Sequence, residues 1–308
     1  MMTTYIFGHQ NPDTDAISSA IIMADFEQQH GNKEAKAFRI GELGPETQFA
    51  LDYFNVDVPE FLTDDLTGQD VILVDHNEFQ QSAQNIDKAH IRHVIDHHRI
   101  ANFETAGPLY YRSEPVGCTA TILYKMYNER QYEIRPEIAG LMISAIISDS
   151  LLFKSPTCTQ QDIDAAKKLA HIAQVDLEEY GLQMLKAGAS TAEKTEEQLL
   201  TTDAKSFGMG NYTVRIAQVN SVDIEEVFER QEALENAMNK ASAENHYDTF
   251  ILVVTDIINS NSKILVVGAE QEKVAAAFNT TLDNHTAFLP GVVSRKKQIV
   301  PPITDALS

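Results

Sequence analysis

Only two cysteines occur in this chain of 308 residues, Cys118 and Cys158. They stand singly, without the paired spacing of a zinc knuckle or the density of a disulfide framework, so both are expected to be ordinary reduced thiols. Long apolar runs are missing too. Nothing approaches the roughly 18 residues of a membrane helix, and Met1 leads straight into a strand without the basic segment and apolar core of a secretory leader. A soluble, cytoplasmic protein is the expectation. Positive charge is scarce, with 24 Lys and Arg against 45 Asp and Glu and a formal charge of −21. A nucleic-acid surface needs a basic stripe, so that class is disfavoured, and an acidic chain that handles an anion must concentrate its cations locally. Internal repeats and low-complexity tracts are also absent.

What the chain does have is ordinary globular material, 43% apolar, at a length for which two domains are the better expectation. It also has three short histidine and aspartate clusters: Gly8-His9-Gln10-Asn11-Pro12-Asp13-Thr14-Asp15, Asp75-His76-Asn77 and Asp96-His97-His98. Each follows an aliphatic or β-branched run, residues 4–7, 71–74 and 93–95, that reads as a short buried strand. The clusters therefore fall where parallel strands end, the place at which open α/β sheets build their sites. Imidazole with carboxylate suits borderline divalent ions such as manganese, cobalt or zinc, and the groups converging here are more than one ion needs. The pattern is that of a two-metal hydrolase.

Alternation of strand and helix organises the rest. Residues 16–29 have helical spacing and stop at His30-Gly31-Asn32. A strand over 36–38 and a helix over 46–54 follow, an order that favours a parallel sheet covered on both faces. Residues 136–150 are apolar nearly all round, with Pro136 suited to a first helical turn, and predict a buried helix delivering Asp149. A helix over 159–185 leads to the small-residue break Lys186-Ala187-Gly188-Ala189-Ser190-Thr191, where a hinge is placed. Beyond it the pattern predicts a strand over 212–219, a long helix over 224–245, and strands over 250–254 and 264–267 flanking a turn at Asn259-Ser260-Asn261-Ser262.

Taken singly, the polar groups have plainer readings. Asp13 and Thr14 suit a helix N-cap, although His9 makes the same loop a source of three metal-capable groups. Asp75 alone is a strand-end carboxylate, and His76 a packed histidine. Adjacent histidines of an extended segment point to opposite sides, so His97 and His98 are expected to do different jobs. His90 and His93 read as structural, and Lys205 as a surface lysine. Ser294-Arg295-Lys296-Lys297-Gln298, in a segment expected to be extended before Pro301-Pro302, is either a phosphate grip or a solvated surface strand.

The three clusters, a later Ser144-Ala145-Ile146-Ile147-Ser148-Asp149 and the C-terminal Ser294-Arg295-Lys296-Lys297-Gln298 together resemble the family II inorganic pyrophosphatases of the DHH phosphoesterase superfamily, from residue 4 to about residue 300. The resemblance implies an α/β fold of two domains, an N-terminal parallel-sheet DHH domain at 1–187 and a smaller C-terminal α/β domain at 196–308, with a hinge at 188–195 and the active site in the cleft between them. It implies that His9 and Asp13 bind one metal and Asp15 the other, that Asp75 bridges the two, and that His97 and Asp149 are further ligands. His98 becomes a substrate contact or proton donor, Asp96 an outer-shell partner, and Lys205, Arg295 and Lys296 substrate contacts. Two Mn²⁺ or Co²⁺ per subunit, Mg²⁺ brought with pyrophosphate, hydrolysis to two orthophosphates and a homodimer joined through the N-terminal domain complete what it implies.

A bridging carboxylate holds two ions about 3.5 to 4 Å apart, close enough to activate one hydroxide between them. Asp13, Asp15, Asp75 and Asp149 would balance two divalent ions, so a polyanionic substrate needs the further cations of Arg295, Lys296 and Lys297. Two rivals remain. One is another DHH phosphoesterase, acting on short oligonucleotides, cyclic dinucleotides or short polyphosphates; the Gly-Gly-Gly-His type motif of the nuclease relatives is absent from this sequence. The other is a non-catalytic metal or phosphate binder, against which a placed His98 argues.

Overall fold

Residues Thr4–Phe7, every one of them buried, form β1 at the centre of a six-stranded sheet. The computed structural model describes residues 3–189, 191 and 194–308, and the chain divides into two units, Met1–Gly188 and Ala189–Ser308.

In the first unit the strands are β1, β2 (Ala35–Arg39), β3 (Glu60–Phe61), β4 (Asp70–Val74), β5 (His90–Asp96) and β6 (Tyr110–Ser113), in the spatial order β3-β2-β1-β4-β5-β6. All five pairings are parallel. The helices are α1 (Thr14–His30), α2 (Pro45–Tyr53), α3 (Thr119–Arg130), α4 (Pro136–Ser150), α5 (Gln160–Ala173) and α6 (Leu177–Gly188). Parallel strands present both faces to protein, which is why Val71 to Val74 reads as one apolar run rather than an alternation. Helix α1 packs on β1, β2 and β4, and α3 on β5. The other face is closed by connecting segments, with Tyr5, Phe7, Val71, Leu73 and Val94 meeting Leu66 and Ile86.

Helix α4 is surrounded by α1, α2, α3, α5 and α6, which accounts for its apolar circumference. Pro136 opens it, where the missing N–H costs nothing. It ends at three consecutive residues in the left-handed region, Leu151, Leu152 and Phe153, with φ of 46°, 52° and 67°. Helix α1 starts on Asp13 and stops on Gly31, whose φ of 110° suits a residue without a Cβ.

In the second unit the strands are β7 (Ala204–Met209), β8 (Tyr212–Ser221), β9 (Thr249–Asp256), β10 (Asn261–Gly268) and β11 (Thr286–Leu289), in the order β11-β10-β9-β8-β7. Only the β8–β9 pair is parallel. The helices are α7 (Glu196–Thr201), α8 (Ile224–Phe228), α9 (Gln231–Asn245), α10 (Gln271–Ala277) and α11 (Val300–Leu307). Each face of this sheet carries its own apolar layer. Phe250, Leu252 and Val254 meet Leu234 and Met238 on one side, while Ile251 and Val253 meet Val274, Ile303 and Leu307 on the other.

Three expectations are corrected. The helix foreseen over 159–185 is two helices, because Gln174 takes a left-handed φ of 56° and Asp176 accepts from the amides of Glu178 and Glu179 to start α6 afresh. Helix α6 then runs to Gly188, through the first half of the small-residue break. The helix foreseen over 224–245 is interrupted at Glu229 and Arg230, where the Arg230 guanidinium donates to the carbonyls of Thr191 and Lys194. The basic cluster is not extended: Arg295–Ile299 forms a single wide helical turn, capped by Ser294 and continued by α11, whose first turn takes Pro301. Of the proposed hinge, Ser190, Ala192 and Glu193 lie outside the described residues.

Candidate metal centre and active site

The C-terminal ends of β1, β4 and β5 hand over directly to the three clusters. Asp13 caps α1 with Oδ1, accepting from Ala16 N at 2.9 Å, and keeps Oδ2 on the side of His9, whose Nε2 is 3.6 Å away. Capping and metal binding are thus compatible uses of one carboxylate. Burial acts to lower the His9 pKa, but the neighbouring Asp13 and Asp75 carboxylates more than offset it and push the imidazole up to about 10. Asp15 is fully buried on the first turn of α1, and accepts from Ser19 Oγ, Thr119 N and Ala120 N at 2.8, 2.7 and 3.2 Å. Burial first, and then the charges of Asp75 and Asp13, push its carboxyl up to about 8.

Asp75 leaves β4 with a left-handed φ of 58°, a conformation that Asp tolerates better than most residues. That turn aims its two oxygens at different partners. Oδ1 accepts from Thr119 Oγ1 at 3.1 Å and lies 3.4 Å from His97 Nε2 and 3.6 Å from His98 Nδ1; Oδ2 lies 3.4 Å from His9 Nε2. Burial opposes its charge, yet the three histidines hold the carboxyl well below the usual range.

Helix α4 delivers Asp149, whose Oδ2 is 3.5 Å from His97 Nε2. Burial, together with Asp15, Asp13 and Asp75, raises its carboxyl well above the ordinary value. His97 Nδ1 meets the Val116 carbonyl at 3.1 Å. A carbonyl only accepts, so Nδ1 carries a proton, and Nε2 is the nitrogen that faces the acid cluster.

The expectation that His97 and His98 point to opposite sides does not hold. The strand ends at Asp96, so alternation no longer applies, and the two rings lie 4.3 Å apart with both turned toward Asp75. Their bonding still differs, since His98 Nδ1 pairs with Asp96 Oδ1 at 2.9 Å. Asp96 is itself gripped through Oδ2 by Asn77 at 2.6 Å; burial raises its carboxyl, but His98 and Asn77 outweigh that and lower it. His76 is packed as expected, between the Val74 carbonyl and Ser82 Oγ at 2.9 and 3.0 Å, and burial lowers it to about 4. His90 and His93 belong to β5 itself and face Asp70 and Glu27.

These residues suit divalent ions. The ligand atoms of His9, Asp13 and Asp75 lie within 4.8 Å of one another, as do those of Asp15, His97 and Asp149, and those of Asp75, His97 and His98. Asp75 Oδ2 is buried with no hydrogen-bond donor, a condition a cation relieves. Carboxylates crowded enough to raise one another's pKa answer the same description.

In the second unit Arg295 is held by Asp203, through the backbone carbonyl and through Oδ1 at 2.6 Å. Its side chain is 11% exposed, which excludes a freely solvated arginine. Asp203 immediately precedes β7, where Lys205 is exposed. Lys296 and Lys297 share the helical turn with Arg295.

Sequence reasoning missed residues 116–121. The Val116 carbonyl, the amides of Thr119 and Ala120 and the Thr119 hydroxyl orient His97, Asp15 and Asp75. Backbone atoms carry most of this, and they leave no residue-type signal beyond a Gly-Cys-Thr at a helix start.

A parallel α/β unit with a histidine and aspartate centre at its strand ends, followed by a mixed-sheet unit, is the architecture of a DHH-type hydrolase. The model of the DHH family N-terminal domain matches residues 3–146, and that of the DHHA2 domain matches 182–306. The chain belongs to the family II, manganese-dependent inorganic pyrophosphatases. It is 73% identical over the whole of both chains to a protein of Staphylococcus saprophyticus, and 72% identical over the same span to one of Staphylococcus epidermidis, each named "Probable manganese-dependent inorganic pyrophosphatase". A crystal structure of a Methanococcus jannaschii protein described as a "putative family II inorganic pyrophosphatase" shares 38% identity, covers 99% of each chain and superposes with a TM-score of 0.85. Among the described residues no helix is long and apolar enough to cross a membrane.

Proposed function

We propose that this chain is an inorganic diphosphatase that hydrolyses pyrophosphate to two orthophosphates around two Mn²⁺ or Co²⁺ ions, with Mg²⁺ accompanying the substrate. The observation that carries the reading is Asp75, whose two oxygens face separate ligand groups, in a chain 73% identical over its full length to a protein named for manganese-dependent pyrophosphatase activity. His9 and Asp13 would hold one ion, Asp15, His97 and Asp149 the other, and Asp75 both. When bound, such ions supply Lewis acidity and make water acidic enough to attack phosphorus near neutral pH.

The protein's own groups do the rest. His97 keeps its proton on Nδ1, against the Val116 carbonyl, and offers Nε2 as a ligand. His98 is held through Nδ1 by Asp96, so its Nε2 faces the substrate as a contact or as the donor of a proton to the departing phosphate. Lys205, Arg295 and Lys296 bind phosphoryl oxygens, with Asp203 orienting the Arg295 fork. Residues 188–195 serve as the linker.

The subunit is proposed to form a homodimer through the N-terminal unit, a reading supported by β6, which lies at the edge of its sheet with one side unpaired. A cytoplasmic setting is proposed with it, supported by two cysteines that are both free.

The test is phosphate release by chelator-stripped protein with Mn²⁺ restored and Mg²⁺ present, on pyrophosphate, tripolyphosphate and a dinucleotide. Mn²⁺-dependent turnover confined to pyrophosphate is the expected result. Preference for tripolyphosphate or the dinucleotide would move the chain to the other DHH phosphoesterases, and metal uptake without turnover on any of the three would make it a binder.

A further inference from the structure

The acid cluster leans on residues 116–121, and that segment is itself held from behind by one side chain. Asp162, fully buried on the first turn of α5, accepts four hydrogen bonds. Oδ2 takes Gly117 N at 2.9 Å, Thr159 N at 2.7 Å and Thr159 Oγ1 at 2.6 Å; Oδ1 takes Thr121 Oγ1 at 2.6 Å. The Thr159 N bond is one half of a capping box, and with the Thr159 hydroxyl it accounts for the start of α5. The other two cap nothing in α5. They reach back to either side of Cys118, Thr119 and Ala120, the stretch whose amides and hydroxyl meet Asp15 and Asp75. Gly117 is shaped for this approach, since a Cβ there would come within 2.8 Å of Asp162 Oδ2.

A buried carboxylate with no cation is costly unless its lone pairs are filled, and four donors fill them here. The result is a stiff link between the N-termini of α3 and α5. Downstream of it, the Val116 carbonyl sets the His97 tautomer, Thr119 N and Ala120 N chelate Asp15, and Thr119 Oγ1 holds one oxygen of Asp75.

We propose that Asp162 is a positioning residue for the metal centre, fixing residues 116–121 so that Asp15, Asp75 and His97 stand in ligand geometry. It touches no ligand itself and acts through its neighbours. The inference rests on the two-ion reading above.

The deciding measurement is Mn²⁺ affinity of chelator-stripped protein, followed by the electron paramagnetic resonance of free Mn²⁺, with a thermal melt of each metal-free variant alongside. Asp162→Ala is expected to weaken Mn²⁺ binding about 10- to 100-fold while still folded at the assay temperature, as loss of an outer-sphere partner does. Thr159→Val, which removes the hydroxyl at the start of α5 and with it one of the four donors to Asp162 but leaves the Gly117 and Thr121 bonds, is expected to lower the melting temperature and leave Mn²⁺ affinity within about twofold, because a cap loss acts on helix stability. Asp162→Asn should recover most of the affinity, since its amide can accept from Gly117 and donate to the Thr121 hydroxyl.

A loss below about fivefold in Asp162→Ala overturns the proposal, as does an equal loss in Thr159→Val, which would reduce Asp162 to a stability element. If Asp162→Ala does not fold, Thr121→Val takes its place under the same two criteria. Parent protein that binds no Mn²⁺ would overturn the two-ion reading itself. Parent that binds normally beside an undiminished Asp162→Ala would overturn this inference alone.

Discussion

At Asp75 backbone and chemistry select the same residue. Its left-handed φ of 58° is tolerated by Asn and Gly as well as Asp, and of the three only Asp carries a charge. Asp75→Asn is therefore expected to fold as well as the parent in the absence of metal, yet to lose Mn²⁺ binding and pyrophosphate turnover by more than the about 100-fold upper range of outer-sphere changes. Metal content and phosphate release check this, and full turnover at normal metal content would remove Asp75 from the bridging role. His76 makes a pH prediction. Its folded pKa is lowered from 6.5 to about 4, so between those values the unfolded chain binds a proton that the folded protein does not. Stability should fall as pH drops from 6.5 toward 4 and be insensitive to this group above that range. In urea melts His76→Gln should flatten that slope by up to about 1.4 kcal/mol per pH unit, and identical slopes would refute the assignment. The candidate ligand residues could be named from the sequence because metal chemistry uses few residue types, and the structure gathers them into common groups at the strand ends. The mutual orientation of His97 and His98 was not legible there, because alternation holds only while the strand continues and β5 stops one residue earlier.

Among the elements, the strands were the most legible. Runs such as Phe250 to Val254, five apolar side chains in succession, are too short for a buried helix such as α4 and rich enough in β-branched residues to read as buried strands. Breaks inside helical patterns were hidden. Gln174 and Arg230 are good helix formers, and what stops the helices there is a left-handed cap in one case and two carbonyls waiting for a guanidinium in the other. The basic cluster was misread as extended because nothing in Arg-Lys-Lys-Gln announces that Ser294 will cap it. Helix α4 offers a packing test at this scale. A Cβ on Gly140 would meet the Phe54 ring at 2.3 Å, so Gly140→Ala should cost about 1–3 kcal/mol despite the better helix propensity of alanine. Chemical denaturation measures it, and a stabilised variant would show that Phe54 can move aside.

For the molecule as a whole, charge sets the behaviour, at −21 with Asp15, Asp75 and Asp149 gathered in one place. Removing metal should lower the melting temperature, and restoring Mn²⁺ should raise it in a concentration-dependent way, with a gain in unfolding free energy of about 2.7 kcal/mol per site at a hundred times the dissociation constant. Added monovalent salt should stabilise the stripped protein more than the loaded one, since screening then replaces neutralisation. Equal salt responses in differential scanning calorimetry would contradict this. Sedimentation velocity tests the proposed dimer, which is expected to persist in Mn²⁺; a monomer at micromolar concentration would leave the β6 edge unexplained.

Fifteen residues make up α4, from Pro136 to Ser150, with a proline at one end and three left-handed residues beyond the other. Neither boundary can drift, so α4 has a fixed count. Deleting one residue from it would swing Asp149 by about 100° around the helix. Deleting four would return its bearing to within about 40° but draw it back by roughly 6 Å. Side chains along α4 can be exchanged within the limits of packing, but insertions and deletions there should be the least tolerated change of length in the first unit.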